Sequence, residues 1–361
     1  MATLDDLPIR DDLKGQKPYG APQLAVPVSL NVNENTHRVP EEVAVDIIQR
    51  LAQAVLDINR YPDREFEGLR AALAAYLGGG LSVANIWAAN GSNEVLQQIF
   101  QAFGGPGRSA LSFTPTYSMY PLLAQGTGTV WIPVARPDDY ELDARFVREA
   151  ILENKPDIVL ICAPNNPTGT PVDLEVIEAA YEALTLASGG ILVIDEAYAE
   201  FADGRVGSSL QLLEGRERLL VSRTMSKAFA FAGARVGYLA ADPAAVDALR
   251  LVRLPYHLSA FTQAAAEGAL AHSGAMLAMV DDIKAQRDRI VFELGQLGLK
   301  VFRTDSNFVL FGGLKDPDEI WTRLLERGVL IRNVGIPGTL RVSAGTERET
   351  SAFLEAMREL V

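Results

Sequence analysis

The chain has 361 residues, is 48% hydrophobic and carries a formal net charge of −13. This length suggests roughly two domains with a sizeable core, and the acidic balance argues against a nucleic-acid partner, which needs a basic surface. The single cysteine, Cys162, rules out an intrachain disulfide, and the three histidines show no metal-ligand spacing. The charged N-terminus is unlike a signal peptide, and no apolar stretch reaches the roughly 18 residues of a membrane span. We therefore expect a cytoplasmic protein without a membrane partner.

The N-terminal and central parts of the chain differ in pattern. Residues 1–40 are rich in Pro and Asn and weakly periodic, which predicts an arm that packs on a neighbouring surface. Between about residues 85 and 240, short apolar runs alternate with amphipathic stretches typical of helices, and we expect a large domain over residues 41–250. The runs that read as strands are “SALSF”, “TVWIPV”, “DIVLICA”, “GILVID”, “RLLVS” and “VGYLA”. Most are continuously apolar, so both faces should be buried in a mostly parallel sheet covered by helices, as in a doubly wound α/β domain.

The C-terminal part changes character. A long, mostly helical stretch covers about residues 259–297, and the strand-like “KVFRTDSNFVLFGG”, “VLIRNV” and “TLRVSAG” follow it. The segments “DPDEIWTRLLERG” and “ERETSAFLEAMREL” have the periodicity of helices. We expect a smaller α+β domain over residues 251–361.

Polar residues at the ends of the predicted strands are the candidate site residues, because ligands of such sheets bind outside the carboxyl ends of the strands. Asn166 lies in “PNNPTG” after one strand, and this stretch could also be an ordinary turn. Asp195 ends “GILVID”. A carboxylate there needs a cation nearby, unless it caps a following helix.

The stretch “TMSKAFAFAGARVGY” follows the run “RLLVS” and contains Lys227, which is either a reactive amine or a solvated loop charge. Thr224 and Ser226 share its turn, and Arg235 comes shortly after. Hydroxyl groups together with a guanidinium suit a phosphate. A surface ion pair is the alternative for Arg235.

Two further segments add an anion site and an aromatic ring. The stretch “AANGSNEVLQQIF” reads as a loop that enters a helix, where the N–H groups of Ser92 and Asn93 could bind an anion or Ser92 could simply cap the helix. Tyr117 in “FTPTYSMY” is either a stacking platform or a core residue. An amine, a carboxylate, a phosphate cup and a flat ring together are what pyridoxal 5′-phosphate requires.

Motifs over nearly the whole chain resemble the fold-type I aminotransferases and, within that group, the histidinol-phosphate aminotransferase family. They are “DDLKGQKPYGAPQLAVPVSLNVNEN”, “INRYPD”, “AANGSNEVLQQIFQAFGGPGR”, “TPTYSMY”, “APNNPTG”, “VIDEAYAEF”, “SRTMSKAFAFAGARVGY”, “RLPYHLS”, “SNFVLF”, “GVLIRN” and “LRVSAGT”. The chain departs from the family at Thr36, which follows “NEN” where the family usually has proline. The resemblance implies a large domain with a mostly parallel seven-stranded sheet between helices, plus a smaller α+β domain.

The resemblance also implies roles for individual residues at the cofactor. Lys227 corresponds to the lysine that forms the Schiff base and shuttles a proton, and Asp195 to the partner of the pyridine nitrogen. Tyr198 and Asn166 correspond to the groups that hydrogen-bond the phenolate oxygen, and Tyr117 to the stacking ring. The implied phosphate-binding set is Ser92, Asn93, Thr224, Ser226 and Arg235.

Other matches concern the substrate and a second subunit. The implied substrate-facing residues are Tyr19, Asn33, Arg332 and Arg341, with a surface ion pair as the alternative for Arg332. Tyr61 in “RYPD” corresponds to a tyrosine that reaches the cofactor phosphate of the neighbouring subunit. This match implies a homodimer with shared active sites.

The implied reaction is amino-group transfer between glutamate or 2-oxoglutarate and imidazole-acetol phosphate or histidinol phosphate, in histidine biosynthesis. The main alternative on the same scaffold is an aromatic amino-acid aminotransferase. A decarboxylase of phosphorylated amino acids and a cofactor-binding regulator without turnover are further alternatives. Regulators of that kind usually carry a nucleic-acid module, and no basic helix-turn-helix segment is expected here.

Overall fold

The computed structural model describes residues 3–18 and 20–361 and builds the chain around one large sheet and two small ones. The strands are β1 (Val28–Ser29), β2 (Ile86–Asn90), β3 (Ser109–Thr114), β4 (Val130–Ala135), β5 (Ile158–Cys162), β6 (Ile191–Asp195), β7 (Leu219–Thr224), β8 (Val236–Ala241), β9 (Lys300–Val301), β10 (Phe308–Gly312), β11 (Val329–Leu330) and β12 (Thr339–Ser343). The α-helices are α1 (Glu41–Leu56), α2 (Glu67–Leu77), α3 (Ser92–Phe103), α4 (Met119–Thr127), α5 (Ala144–Asn154), α6 (Leu174–Ala187), α7 (Pro243–Val252), α8 (Ala260–Ala271), α9 (Ser273–Gln296), α10 (Pro317–Glu326) and α11 (Glu347–Leu360). Within these described residues, no helix is both long and apolar enough to cross a membrane.

The large sheet has seven strands in the order β2-β8-β7-β6-β5-β3-β4. Strand β8 runs antiparallel to both of its neighbours, and the other pairs are parallel. Every residue of β5, β6, β7 and β8 is buried, as their continuous apolar runs predict. The expected α/β fold, with a mostly parallel sheet between helices, is confirmed.

The interpretation of “AANGSNEVLQQIF” as a loop entering a helix is wrong for its first residues. Residues Ile86–Asn90 form β2, which pairs antiparallel with β8 at the edge of the sheet. Ile86 pairs with Ala240, more than a hundred residues along the chain, so local periodicity carries little trace of this pairing. The helical part is as expected, because α3 begins at Ser92.

The C-terminal region carries the small sheets. Strands β12, β10 and β9 form an antiparallel sheet, and β11 pairs parallel with β1 from the N-terminal segment. The N–H of Leu30 donates to the carbonyl of Leu330 at 2.8 Å, and the N–H of Ser343 donates to the carbonyl of Leu30 at 2.9 Å. The N-terminal segment is therefore packed onto the C-terminal region, while α8 packs against α1 and α2. The domain boundaries at residues 40 and 250 stay a prediction.

Close backbone packing joins β8 to the start of α3. A Cβ atom at Gly237 in β8 would overlap the backbone of Gly91 and Ser92. Gly91 itself has φ +83, a conformation that L side chains rarely adopt, and its Cβ would overlap the guanidinium of Arg235. The glycines thus bring the helix N-terminus, β8 and Arg235 together.

Replacing Gly237 by alanine should lower the free energy of unfolding by about 1–3 kcal/mol, because the new methyl group must displace the start of α3. Gly233→Ala is the matched control, since a Cβ at Gly233 would meet no atom within 4 Å. Thermal and denaturant unfolding of both variants measure the difference. Equal stability of the two variants would contradict the close packing at Gly237.

Candidate active site

A cavity of about 540 Å³ opens at the carboxyl ends of β3, β5, β6 and β7, beside the N-terminus of α3. It brings together residues from almost every predicted site segment. The predicted site residues that line it are Asn33, Ser92, Asn93, Tyr117, Asn166, Asp195, Tyr198, Thr224, Ser226, Lys227, Arg235, Arg332 and Arg341. Tyr19 lies outside the described residues.

Lys227 follows β7 and directs its amine into this cavity. Its Nζ donates a hydrogen bond to the carbonyl of Val32 at 3.1 Å. Desolvation, followed by the nearby positive charge of Arg341, lowers the pKa of the amine from 10.5 to about 8. At a pKa of about 8, roughly a tenth of this amine is neutral at pH 7, on the order of a hundredfold more than at the ordinary lysine pKa.

Asp195 ends β6 and is 3% exposed. Its Oδ2 accepts a hydrogen bond from the hydroxyl of Tyr120 at 2.8 Å, while Oδ1 has no hydrogen-bond partner among residues 3–18 and 20–361. Burial raises the pKa of the carboxyl group to about 6. A buried oxygen without a donor is costly, so a ligand with a cationic N–H group, such as a protonated pyridine, fits Asp195.

The neighbouring Glu196 forms an ion pair within the protein. It pairs with Arg223 at 2.7 Å, and both side chains are buried. Its oxygens also accept hydrogen bonds from Ser208 and from the backbone N–H of Ser209. Glu196 therefore belongs to a structural ion pair, and only Asp195 of this carboxylate pair lines the cavity.

The features expected of a phosphate site lie together at one end of the cavity. Ser92 and Asn93 open α3, whose first backbone N–H groups have no partner within the helix. The Thr224 hydroxyl donates to Ser226 Oγ at 2.9 Å, and Arg235 donates to the same oxygen at 3.5 Å. Arg235 forms no ion pair with any described residue. A helix N-terminus, hydroxyl groups and an uncompensated guanidinium are a favourable environment for an anion.

Tyr198 lies at the centre of a buried hydrogen-bond network. Its hydroxyl accepts from the side-chain amides of Asn33 at 3.0 Å and Asn166 at 3.3 Å. Arg341 in turn donates to Asn166 Oδ1 at 2.5 Å, and the backbone N–H of Asn33 donates to Ser343 Oγ at 2.9 Å. Because the Tyr198 oxygen already accepts twice, its proton is available to donate into the cavity. Residues distant in sequence thus meet around one phenol.

Arg332 and Arg341 lie side by side on the C-terminal wall of the cavity. Their backbones exchange two hydrogen bonds of 2.9 Å, and both side chains line the cavity. Within the described chain, Arg332 has no ion-pair partner, so the surface ion pair considered for it is not found. The Arg341 guanidinium also lies 4.9 Å from the centre of the Phe308 ring.

Two predicted residues need separate comment. Tyr117 donates to Asn93 Oδ1 at 2.9 Å, which ties the expected stacking ring to the start of α3. Tyr61 lies outside the cavity, is 80% exposed and stacks on Tyr256 with ring centres 4.5 Å apart. Its expected role at a neighbouring subunit stays a prediction.

Three groups at the cavity were not identified from the sequence as site residues. Tyr120 is bonded to Asp195, Cys162 lines the cavity as a buried thiol, and the Val32 carbonyl accepts from Lys227. Tyr120 lies in the same motif as Tyr117, and this proximity along the chain was an available signal. The other two depend on contacts between distant segments.

The site combines a buried amine, a carboxylate with one oxygen that lacks a hydrogen-bond donor, and an anion site at a helix N-terminus. This combination is typical of a pyridoxal-phosphate-dependent transferase. The model of the family “Aminotransferase class I and II” matches residues 26–357. The chain therefore belongs to the class I and II aminotransferases, enzymes that use pyridoxal 5′-phosphate.

Individual relatives agree with this family. The chain is 63% identical to a histidinol-phosphate aminotransferase of Paenarthrobacter aurescens, over 99% of this chain and 96% of the relative. It is 55% identical to one of Frankia casuarinae, over 98% and 90%. Among solved structures, it resembles the Sinorhizobium meliloti histidinol-phosphate aminotransferase in complex with pyridoxal-5′-phosphate. That likeness has a TM-score of 0.83, an identity of 27% and coverage of 93% of this chain and 92% of the other.

The buried carboxylate should lower the stability of the protein when the cofactor is removed. We expect Asp195→Asn to raise the free energy of unfolding of cofactor-free protein by about 2–3 kcal/mol near neutral pH, since asparagine carries no charge to desolvate. The folded-state pKa of about 6 exceeds the ordinary 3.8. The folded state therefore binds the proton more tightly, and the advantage of asparagine should vanish as the pH falls through 6 to below about 4.

Urea unfolding at several pH values measures this difference. Asp281→Asn, at an exposed position, is the control and should change the stability little at any pH. An Asp195→Asn variant that is no more stable than the wild type above about pH 6 would contradict the cost assigned to the buried charge.

Proposed function

We propose that this protein is a histidinol-phosphate aminotransferase of L-histidine biosynthesis. It would exchange an amino group between glutamate or 2-oxoglutarate and imidazole-acetol phosphate or histidinol phosphate. The observation that carries the proposal is the Lys227 amine, held in a cavity that also contains Asp195 and the guanidinium groups of Arg332 and Arg341. The names of the relatives support the choice of substrate.

We assign cofactor binding to residues that line the cavity. Bound pyridoxal phosphate supplies an electron sink that stabilises negative charge at the substrate carbon. Asp195 would hold the pyridine nitrogen, and Tyr198 and Asn166 the phenolate oxygen. Tyr117 would cover the ring. The phosphate would be held by Ser92, Asn93, Thr224, Ser226 and Arg235.

Lys227 is assigned as the catalytic acid and base. Its Nζ would take the proton from the α-carbon of the amino donor and give it to the cofactor rather than back to that carbon. In the second half of the exchange it would deliver a proton to the α-carbon of the newly formed amine. General base catalysis is most effective when the pKa of the base lies near the working pH, and burial together with Arg341 brings the amine to about 8. The lowered pKa therefore suits the amine to both halves of the exchange.

The two alternating substrates present different anions to the same site. Glutamate carries a second carboxylate, whereas histidinol phosphate carries a phosphate. A guanidinium can pair with either through two parallel hydrogen bonds. We assign Arg341 as the principal anion-binding residue and Arg332 as its assistant, with Asn33 and Tyr19 completing the substrate-facing side.

The substrate assignment predicts a kinetic preference. With 2-oxoglutarate as acceptor, kcat/KM for histidinol phosphate should exceed that for phenylalanine by more than about tenfold. The phosphate of histidinol phosphate carries more negative charge than the single α-carboxylate of phenylalanine and can pair with both guanidinium groups. Lys227→Ala is the control and should remove turnover of both donors. A preference of tenfold or more for phenylalanine would favour the aromatic aminotransferase, and CO₂ release from threonine phosphate would favour the decarboxylase.

We further propose a cytoplasmic homodimer with shared active sites. Large apolar side chains are exposed on α1, in the segment after it, and around the end of α7. They are Val45, Ile48, Val55, Leu56, Ile58, Tyr61, Leu251, Leu254 and Tyr256. Among them, Tyr61 and Tyr256 stack on each other, and adjacent exposed apolar groups favour burial against a partner. Tyr61 is suited to contact a second subunit because its side chain is exposed and does not line the cavity of its own subunit.

Hybrid dimers test the shared site directly. Tyr61→Ala and Lys227→Ala homodimers should both be impaired, since each lacks one component in both sites. If Tyr61 serves the neighbouring subunit, a hybrid dimer contains one site with both native residues and should regain up to half of the wild-type activity. If Tyr61 serves its own subunit, neither hybrid site is native, and mixing the variants under conditions of subunit exchange should restore nothing. Wild type mixed with Lys227→Ala is the reference for exchange.

A further inference from the structure

We propose that Tyr120 is a positioning residue for the cofactor. Its phenol O–H holds one oxygen of Asp195, so that the other oxygen is presented to the cofactor nitrogen. The inference rests on the proposed role of Asp195 at the cofactor and does not depend on which amino donor the enzyme uses.

The geometry of the Tyr120–Asp195 pair distinguishes the two carboxylate oxygens. The Tyr120 hydroxyl donates to Asp195 Oδ2 at 2.8 Å, and the two side chains are 0% and 3% exposed. Oδ1 has no hydrogen-bond partner in the described part of the chain. A phenol has one proton, so Tyr120 can serve only one of the two oxygens. The carboxylate is thus fixed through Oδ2 while Oδ1 keeps its capacity to accept.

The phenol is itself held in place. Tyr120 is the second residue of α4, and its ring meets Tyr117 edge-on with centres 5.5 Å apart. Asp195 is paired in the sheet with Cys162 of β5 and with Ser222 of β7. A helix and a sheet that are packed together therefore set the distance between hydroxyl and carboxylate, and the same packing fixes which oxygen the phenol serves.

The electrostatic surroundings agree with a lasting donor role. The pKa of Tyr120 is held well above 10, first by burial and then by the charge of Asp195, so the phenol keeps its proton. Burial raises the pKa of Asp195, and the hydrogen bond from Tyr120 opposes that rise. The other groups that act on the pair are the Cys162 thiol, the Glu196 carboxylate, the Arg136 guanidinium and the backbone N–H of Ala197. Tyr120 donates the side-chain hydrogen bond to the carboxylate, at 2.8 Å.

The experiment measures how well the holoenzyme retains its cofactor. Tyr120→Phe removes a single oxygen atom and keeps the ring. We expect it to release pyridoxal phosphate to a scavenger about tenfold more readily than the wild type, as the loss of a hydrogen bond to a charged group predicts. The pH below which cofactor is lost should also rise, by about one unit, because Asp195 becomes easier to protonate.

Matched variants separate the outcomes. Tyr238→Phe removes another buried phenol outside the cavity lining and should retain cofactor as the wild type does. Tyr120→His restores an N–H donor. It should therefore retain cofactor better than Tyr120→Phe and lose it at a lower pH. A purely structural role of Tyr120 would give the two variants the same behaviour. Thermal unfolding checks that each variant is folded.

Comparison with Asp195→Asn distinguishes a wrong role for Tyr120 from a wrong role for Asp195. If Asp195→Asn loses cofactor while Tyr120→Phe retains it with the wild-type pH limit, the role of Tyr120 is overturned and that of Asp195 stands. If neither variant loses cofactor, the role of Asp195 is overturned as well. Histidine and phenylalanine variants that behave alike at Tyr120 would also overturn the donor role.

Discussion

The active site depends on the removal of two opposite charges from water without a direct ion pair between them. Lys227 donates to a backbone carbonyl, and Asp195 accepts from a phenol, so neither has a charged side-chain partner within hydrogen-bond distance among the described residues. Burial opposes ionisation of both groups, which lowers the pKa of the amine and raises that of the carboxyl group. Burying these two groups in the cavity therefore lowers the stability of the fold. The same cavity is complementary to a ligand with a cationic nitrogen for Asp195 and an electrophilic carbon for Lys227. Much of what surrounds the cavity can be understood as support for this arrangement.

The large sheet supplies the rigid part of that support. Cys162, Asp195 and Ser222 are adjacent across β5, β6 and β7, so the ends of three parallel strands are level at the cavity. The glycine contacts between β8 and α3 bring a helix N-terminus to the same edge. The nitrogen and the phosphate of the cofactor would then both be held by the large sheet and the helix packed on it. Such rigid support suits a site that must keep a ring in a fixed orientation.

The substrate side is built differently, from segments near the two ends of the chain. Asn33 binds Tyr198 through its amide and Ser343 through its backbone, and Arg341 reaches Asn166. These bonds link the N-terminal segment and the C-terminal sheet to the large sheet across the cavity. On the proposed assignments, substrate anions and cofactor would meet where these segments contact the large sheet, close to Lys227.

The apolar strands, the polar residues at their ends and the ordered motifs of the family can be recognised in the amino-acid sequence, because they depend on local composition and on short spacings. The sequence therefore predicted the α/β sheet and a cofactor site around Lys227 and Asp195. It did not reveal β2 as a strand, the Tyr120–Asp195 hydrogen bond or the contact from Lys227 to the Val32 carbonyl. These features emerge only in the folded chain, since each joins segments that are distant along the sequence. Hydrogen-bond partners, burial and the resulting pKa shifts follow from such long-range packing and leave little trace in local sequence patterns.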